Sequence, residues 1–483
     1  MGKYSVPAEI RAMRPEGTTV KLISGGYYVY ETYNERRADG TWRTVSGPCV
    51  GKIDPVRGFV ANTGSLRDEE VSALDFGEWA VALANSGKTL AMLKEFFSAR
   101  DAERIYAVAV VHFVQGFTYM RDVSSFYEMS ALQLRLPGLK LGYDALSRLY
   151  EDLGRRQGPV LAFEQALVER CSGQVAVDGH VVGCRSEGAG LAEKGYKFGK
   201  LGEEQANLLM AYDVNTGVPL LSRFYEGGAA DKVCVRDLLG QAEFKDLLFL
   251  VDRGFYSEEN LELFTSNGCQ YVIALSKGLD ACKKAVADME LPGRFVYERG
   301  RKSSIVEFKE QHVAGRRVLV FRDANEAAAM QANYLRHLRR GDRGYTQEGF
   351  DAAKPLMAVS VLQTSLEDES AEDVYGLYKR RWAVETYFDY FKNGQDAHTL
   401  CVQDYHQAQG LAFVLLVSGL VHREVADALE ASGLGMSMPE MILEARKVKA
   451  AKRHGSWVAC NCKKKRIAFF NKLNTPLEVV PQK

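Results

Sequence analysis

The chain has 483 residues, 46% of them hydrophobic and 26% charged, which excludes a disordered, collagen-like or coiled-coil protein and leaves length for about two to four domains. Lys plus Arg and Asp plus Glu both total 62, so attraction to a polyanion has to come from local patches. Nine cysteines without a framework fit a reducing compartment, and the expected location is cytoplasmic.

Residues 18 to 60 alternate as strands do, through Thr18–Ile23, Tyr27–Tyr30 and Trp42–Val45 with an Asp39-Gly40 turn, and predict an N-terminal β-hairpin unit over 1–60. From about Asp68 to Arg170 apolar residues recur at i, i+3 and i+4, which predicts a helical domain over 61–170, a candidate for DNA binding. An α/β pattern follows. Val175–Asp178, Asn207–Tyr212 and Leu220–Tyr225 read as strands, and Leu247–Asp252 is apolar on both faces, as in the centre of a covered sheet. Val233–Phe244 and Ser257–Thr265 read as helices around it, with Tyr271–Leu275 as a further strand. Residues 279–354 are more polar, with short β-like stretches, and are expected to form a strand-rich insertion. Pro355 to Val361 resumes a strand, and one long helix is expected from about Ala371 to Asn393. The apolar run Leu411–Val421 is too short to span a bilayer and reads as buried helix. Residues 431–483 form a basic C-terminal region in which Lys463, Lys464, Lys465 and Arg466 are either a duplex-binding patch or a solvated tail.

Three apparent motifs fail. Gly87-Lys88-Thr89 resembles the end of a phosphate loop, yet Ala82 stands where the first glycine belongs. Gly188-Ala189-Gly190 has Glu193 at the third glycine position, and Cys460-Asn461-Cys462 lacks a second ligand pair at zinc spacing. The strongest pattern lies in the long helix. Tyr378, Arg381, Glu385 and Lys392 fall within an arc of roughly 60° at about 100° per residue. One reading is a solvated face with an Arg381–Glu385 pair; the other is a packed face, since Trp382, Tyr387 and Phe391 surround it. Asp178 and Asp252 each end an expected strand, as turn or cap residues or as reactive groups at the ends of central strands. Together with Glu385 they supply three carboxylates, a donor set for one or two Mg²⁺ or Mn²⁺ ions.

These residues resemble the acidic triad of DDE transposases from bacterial insertion sequences. Tyr378-x2-Arg381-x3-Glu385-x6-Lys392 matches the Y-R-E-K signature of the insertion-sequence-4 branch, and Asp178-Gly179 and Asp252-Arg253-Gly254-Phe255-Tyr256-Ser257 resemble its first and second acid motifs. The resemblance covers about residues 170 to 430, with Gly228 as a departure where relatives often carry Asn. It implies a ribonuclease-H-like catalytic core, built from 171–278 plus 355–430 and interrupted by 279–354. It further implies two Mg²⁺ or Mn²⁺ ions held by Asp178, Asp252 and Glu385. Arg381 and Lys392 would grip phosphates and Tyr378 a backbone oxygen, the kind of contact that positions a duplex. The implied activity is cleavage at terminal inverted repeats and joining to target DNA, with a hairpin on the element end. The partners would be double-stranded DNA and a second copy of the chain in a dimer, with no membrane, and nucleoid association when DNA is bound. A non-catalytic DNA-binding descendant and a nuclease or phosphatase acting on other phosphate esters are the competing expectations.

Overall fold

The computed structural model describes residues 6–480 apart from 38–39, 63–71, 156, 185, 195–202, 301, 382–398 and 454. The chain divides into two compact units, one of Met1–Ala73 with Ala451–Ser456, the other of Leu74–Ala450 with Trp457–Lys483.

In the first unit, strands Thr18–Ile23, Gly26–Arg36, Trp42–Asp54 and Gly58–Ala61 form an antiparallel meander. Ser24 and Gly25, both at positive φ, make the tight two-residue turn whose twist suits a hairpin. The core is small: Ile10 of helix Ala8–Ala12 packs with Val20, Val29 and Ile53. Of the expected Asp39-Gly40 turn, Asp39 lies outside the described residues.

The second unit starts with helices, as the periodicity predicts. Ala99–Gln115 is helical and buried from Ile105 to Val114, because it lies against Tyr405–Ala431, the 27-residue helix that contains the long apolar run. A side chain at Gly154 would put its Cβ 2.0 Å from the His406 carbonyl oxygen, and one at Gly410 the same distance from that of Tyr150. These two glycines let helices Tyr143–Arg155 and Tyr405–Ala431 touch backbone to backbone. Gly87-Lys88-Thr89 begins helix Gly87–Phe96, and the Glu424 carboxylate accepts from the Lys88 and Thr89 N–H groups at 3.2 and 2.8 Å. The anion at this helix start is therefore the protein's own.

His112 is wholly buried and its Nδ1 accepts from the Thr118 N–H at 3.1 Å. Burial pushes its pKa down to about 4, and burial with neighbouring Arg423 moves His422 the same way. The unfolded chain takes up a proton at His112 near pH 6.5, which the folded chain resists until about pH 4. The stabilisation is complete above pH 6.5 and is lost as pH falls from 6.5 towards 4, by up to about 3 kcal/mol for His112. Urea unfolding at pH 7 and pH 5 should show this loss, and His112→Phe should reduce it; an identical pH dependence in that variant would contradict the assignment.

The large sheet has eleven strands among the described residues. Pro219–Glu226, Glu204–Asp213 and Gln174–Cys184 lie side by side and antiparallel. Leu248–Val251 then pairs parallel to Gln174–Cys184, and Gln270–Ala274 parallel to Leu248–Val251. Val359–Thr364 joins antiparallel beyond them, followed by Arg316–Asp323, Lys302–Val313 and Gly293–Arg299. The strands of 279–354 thus extend the same sheet. The segment is not strand-rich throughout, because it also contains helix Ala324–Arg340, capped by Asp323 and ended by Gly341 at positive φ.

One further expectation changes. Asp178 does not end its strand, which runs from Gln174 to Cys184, since Glu204–Asp213 pairs with it from Val175 to Gly183. The long helix is described as Ala371–Arg380, with Ser370 accepting from the Asp373 N–H and Arg381 still in helical conformation; the remainder, with Glu385 and Lys392, lies outside the described residues.

Candidate active site

Two carboxylates meet where the parallel neighbour of the central strand stops. Leu248 pairs with Gln174, Phe249 with Val175 and Leu250 with Ala176. Two residues further along each chain stand Asp252 and Asp178, at the same level and of the same parity. Adjacent strands lie about 4.8 Å apart, so the two carboxyl groups share one face of the sheet. Leu248–Val251 is short and apolar because it is covered on both faces, and Asp252 leaves it in extended conformation to cap the turn Arg253–Phe255.

Each acid is fixed locally. Asp178 Oδ1 accepts from the Gly179 N–H at 2.9 Å, and Asp252 Oδ1 from the Arg253 N–H at 2.8 Å. The Tyr378 hydroxyl, on the last turn of Ala371–Arg380, donates to the same Oδ1 at 3.3 Å. Arg381, 6% exposed, places Nη2 4.0 Å from Asp252 Oδ2 and its guanidinium 5.5 Å from the Tyr378 ring centre. Burial, then the nearby Asp252 charge, pushes the Tyr378 hydroxyl up to about 12, so at neutral pH it remains a donor. Tyr378 and Arg381 therefore both face the second acid.

Sequence reasoning missed one residue that holds this site in shape. Asn260 is fully buried, and its Nδ2 donates to the Phe255 carbonyl at 2.8 Å and to the Lys232 carbonyl at 2.9 Å. It ties the turn after Asp252 to helix Asp231–Leu239. Its only sequence signal is an amide three residues after the cap Ser257, inside an otherwise ordinary helix start. Asp231 approaches the same turn, with Oδ2 3.2 Å from where a Cβ on Gly254 would lie. At Gly228, the backbone N–H donates to Glu193 at 3.0 Å.

Among the described residues no group of three His, Cys, Asp or Glu side chains is close enough to hold a metal ion; Glu385 is outside them. A cavity of about 620 Å³ lies at the opposite ends of the parallel strands, beside Gln174, Leu248 and Gln270, and is separate from the acids.

The basic run lies at the start of a packed helix. Lys463 precedes helix Lys464–Lys472, which is anchored by buried Phe469 and Phe470. Lys463, Lys464 and Lys465 are exposed, whereas Arg466 donates to the Asn461 carbonyl at 3.0 Å and lies 3.6 Å from Glu444. Replacing the three lysines with Ala should flatten the salt dependence of DNA binding by up to about three units, and an unchanged slope in a salt titration would remove them from the interface. Arg466→Ala should instead lower stability by about 1 kcal/mol, the scale of a lost hydrogen bond.

Residues 169–418, more than half of the chain and a span that includes Asp178, Asp252 and Glu385, match the family model described as the transposase DDE domain. The chain belongs to this family. A piggyBac transposase, in a synaptic complex with hairpin DNA, is a structural relative at 9% identity, with 76% of this chain and 77% of that chain covered and a TM-score of 0.40. No curated protein matches the chain. For this transposase-family chain, no helix among the described residues is long and apolar enough to cross a membrane.

Proposed function

We propose that the chain is an insertion-sequence transposase of the insertion-sequence-4 branch, which binds terminal inverted repeats, cuts DNA there and transfers the strand to target DNA. The observation that carries this reading is the parallel register of Leu248–Leu250 with Gln174–Ala176, which brings Asp252, just past its strand, level with Asp178, within a chain of the DDE family. Three antiparallel strands followed by two parallel ones, with Asp252 just past Leu248–Val251 and Asp178 in mid-strand beside it, agree with a ribonuclease-H-like core.

The donor set fits Mg²⁺ or Mn²⁺. Carboxylate oxygens are the hard ligands such ions take, and Asp252 Oδ2 already draws a cation, the Arg381 guanidinium. Asp178, Asp252 and Glu385 would hold two ions. When bound, the metals would lower the pKa of water and stabilise charge on the phosphoryl oxygens. Tyr378 would keep Asp252 oriented through its hydroxyl until a DNA backbone oxygen competes for it. Arg381 and Lys392 would take phosphates next to the acids, where Arg offers a planar fork and Lys a point charge. Lys463, Lys464 and Lys465 would add phosphate contacts elsewhere, and a dimer would bring two element ends together.

The test is a cleavage assay on labelled duplexes carrying the DNA that flanks the coding region, with Mg²⁺ or Mn²⁺. A nick at the repeat boundary that leaves a 3′ hydroxyl, followed by joining to a second duplex, is the expected result. Binding to the ends without cutting under either metal would replace this reading with that of a non-catalytic transposase-derived DNA-binding protein.

A further inference from the structure

The N-terminal unit has a sheet with two faces of opposite character. Along Gly26–Arg36, the parity of buried Val29 also carries Glu31 and Glu35, so both acids of this strand lie on the core side. The other parity carries Tyr28, Tyr30, Thr32, Asn34 and Arg36. Its register shifts place extra residues only in Trp42–Asp54, so the alternation of Gly26–Arg36 is unbroken. Lys21 and Lys52 stand level with Tyr28 on the two flanking strands, and Trp42 stands level with Arg36. Lys21 Nζ lies 4.7 Å from the centre of the Tyr30 ring. The outer face therefore combines Lys21, Lys52 and Arg36 with Tyr28, Tyr30 and Trp42. Its one acid, Asp54 at the far end, accepts from the Val56 and Arg57 N–H groups of its own turn.

The same two strands outrun their neighbours. Thr18–Ile23 pairs only as far as Glu31, and Gly58–Ala61 only with Gly51–Asp54. Beyond that base, Thr32–Arg36 and Trp42–Ser46 pair with each other alone, as a two-stranded ribbon roughly 17 Å long at about 3.4 Å per residue. Isolated ribbons are marginally stable in water, and this one exposes Tyr33 at 55% and Trp42 at 68%. A two-stranded β-ribbon is one of the shapes a duplex major groove admits, at about 12 Å wide.

We propose that this outer face and the ribbon that continues it form a second contact surface for double-stranded DNA. Lys21, Lys52 and Arg36 take phosphates, and Asn34, Thr44 and Trp42 on the ribbon enter the groove. Charge selects the occupant: the outer face carries three cations against Asp54, whereas on the other face Glu31 and Glu35 stand with Arg43, which pairs with Glu35 at 2.7 Å, so a polyanion is drawn to the outer face. The inference takes its ligand from the proposed function, but its site is distant in sequence from every acid of the triad.

The experiment uses the full chain, a labelled 30-bp duplex of arbitrary sequence and fluorescence anisotropy over a range of salt. The triple variant Lys21→Gln/Arg36→Gln/Lys52→Gln should lose about 2.7 units of salt slope, at 0.9 per phosphate, and bind about tenfold more weakly or worse. The opposite-face variant Glu31→Gln/Glu35→Gln should not flatten the slope. A folded triple variant, with an unchanged melting curve, that keeps the wild-type slope and affinity would overturn the inference. If wild type cuts element-end DNA while the triple variant binds as wild type does, this surface is wrong and the enzymatic reading stands. If the triple variant loses slope but wild type never cuts, the surface stands and the enzymatic reading falls.

Discussion

Asp252→Asn should reduce strand cleavage by about a hundredfold or more, and Asp178→Asn and Glu385→Gln should do the same. Each substitution would remove a ligand charge while nearly preserving shape, and the ions that the acids would hold would supply several kcal/mol of transition-state stabilisation. Binding to end DNA should survive, since on this proposal it would rest on cations elsewhere, and should tighten slightly as a negative charge that would lie beside the phosphates disappears. Tyr378→Phe makes a graded comparison. It leaves the carboxylate in place but removes the hydroxyl that donates to Asp252 Oδ1 at 3.3 Å, so its loss should be smaller. Cleavage and gel-shift assays on one labelled end separate these outcomes. Wild-type cleavage in all three acid variants would exclude the triad.

The second large effect concerns stability. Glu164 is fully buried in helix Gln157–Glu169 and receives two hydrogen bonds from Arg223 of strand Pro219–Glu226, at 2.9 and 2.8 Å. Burial raises the Glu164 pKa, and Arg223 opposes that rise. Arg223→Met should cost about 3–5 kcal/mol because it leaves a buried carboxylate without its cation. The penalty should shrink as pH falls and Glu164 takes up a proton. Adding Glu164→Gln should recover part of the loss, because the remaining groups are then neutral. Urea denaturation measures all three, and a cost below about 1 kcal/mol for Arg223→Met would show that the pair is not a strong tether between the helical region and the sheet.

Legibility in the sequence followed physical locality. The strand before Asp252 was readable because burial on both faces leaves an uninterrupted apolar run, Leu248–Val251. The strand through Asp178 was cut short because Asp178-Gly179-His180 breaks the apolar alternation, while pairing with Glu204–Asp213 carries the strand on to Cys184. Helix Ala324–Arg340 escaped notice because only Ala327 of its 17 residues is buried, so it has little apolar period; its cap Asp323 and its terminal Gly341 were the usable signals. The contacts that shape the site join residues far apart in the chain, such as Tyr378 with Asp252 across 126 positions. No periodicity encodes those, and the resemblance of spaced motifs implies a DNA backbone oxygen, not Asp252, as the partner of Tyr378. The Asn260 clamp has no such motif, because its partners are the Phe255 and Lys232 carbonyls that only the fold brings together.

Metal-specific rescue of Asp252→Cys tests the central claim most directly. A thiolate is a softer ligand than a carboxylate and suits Mn²⁺ better than Mg²⁺. The account predicts that wild type cuts element-end DNA with either metal, whereas Asp252→Cys is inactive with Mg²⁺ and regains measurable cleavage with Mn²⁺. Cleavage by Asp252→Cys at the wild-type rate in Mg²⁺ would contradict the account, because Asp252 could not then be a ligand of the ions that cut the strand.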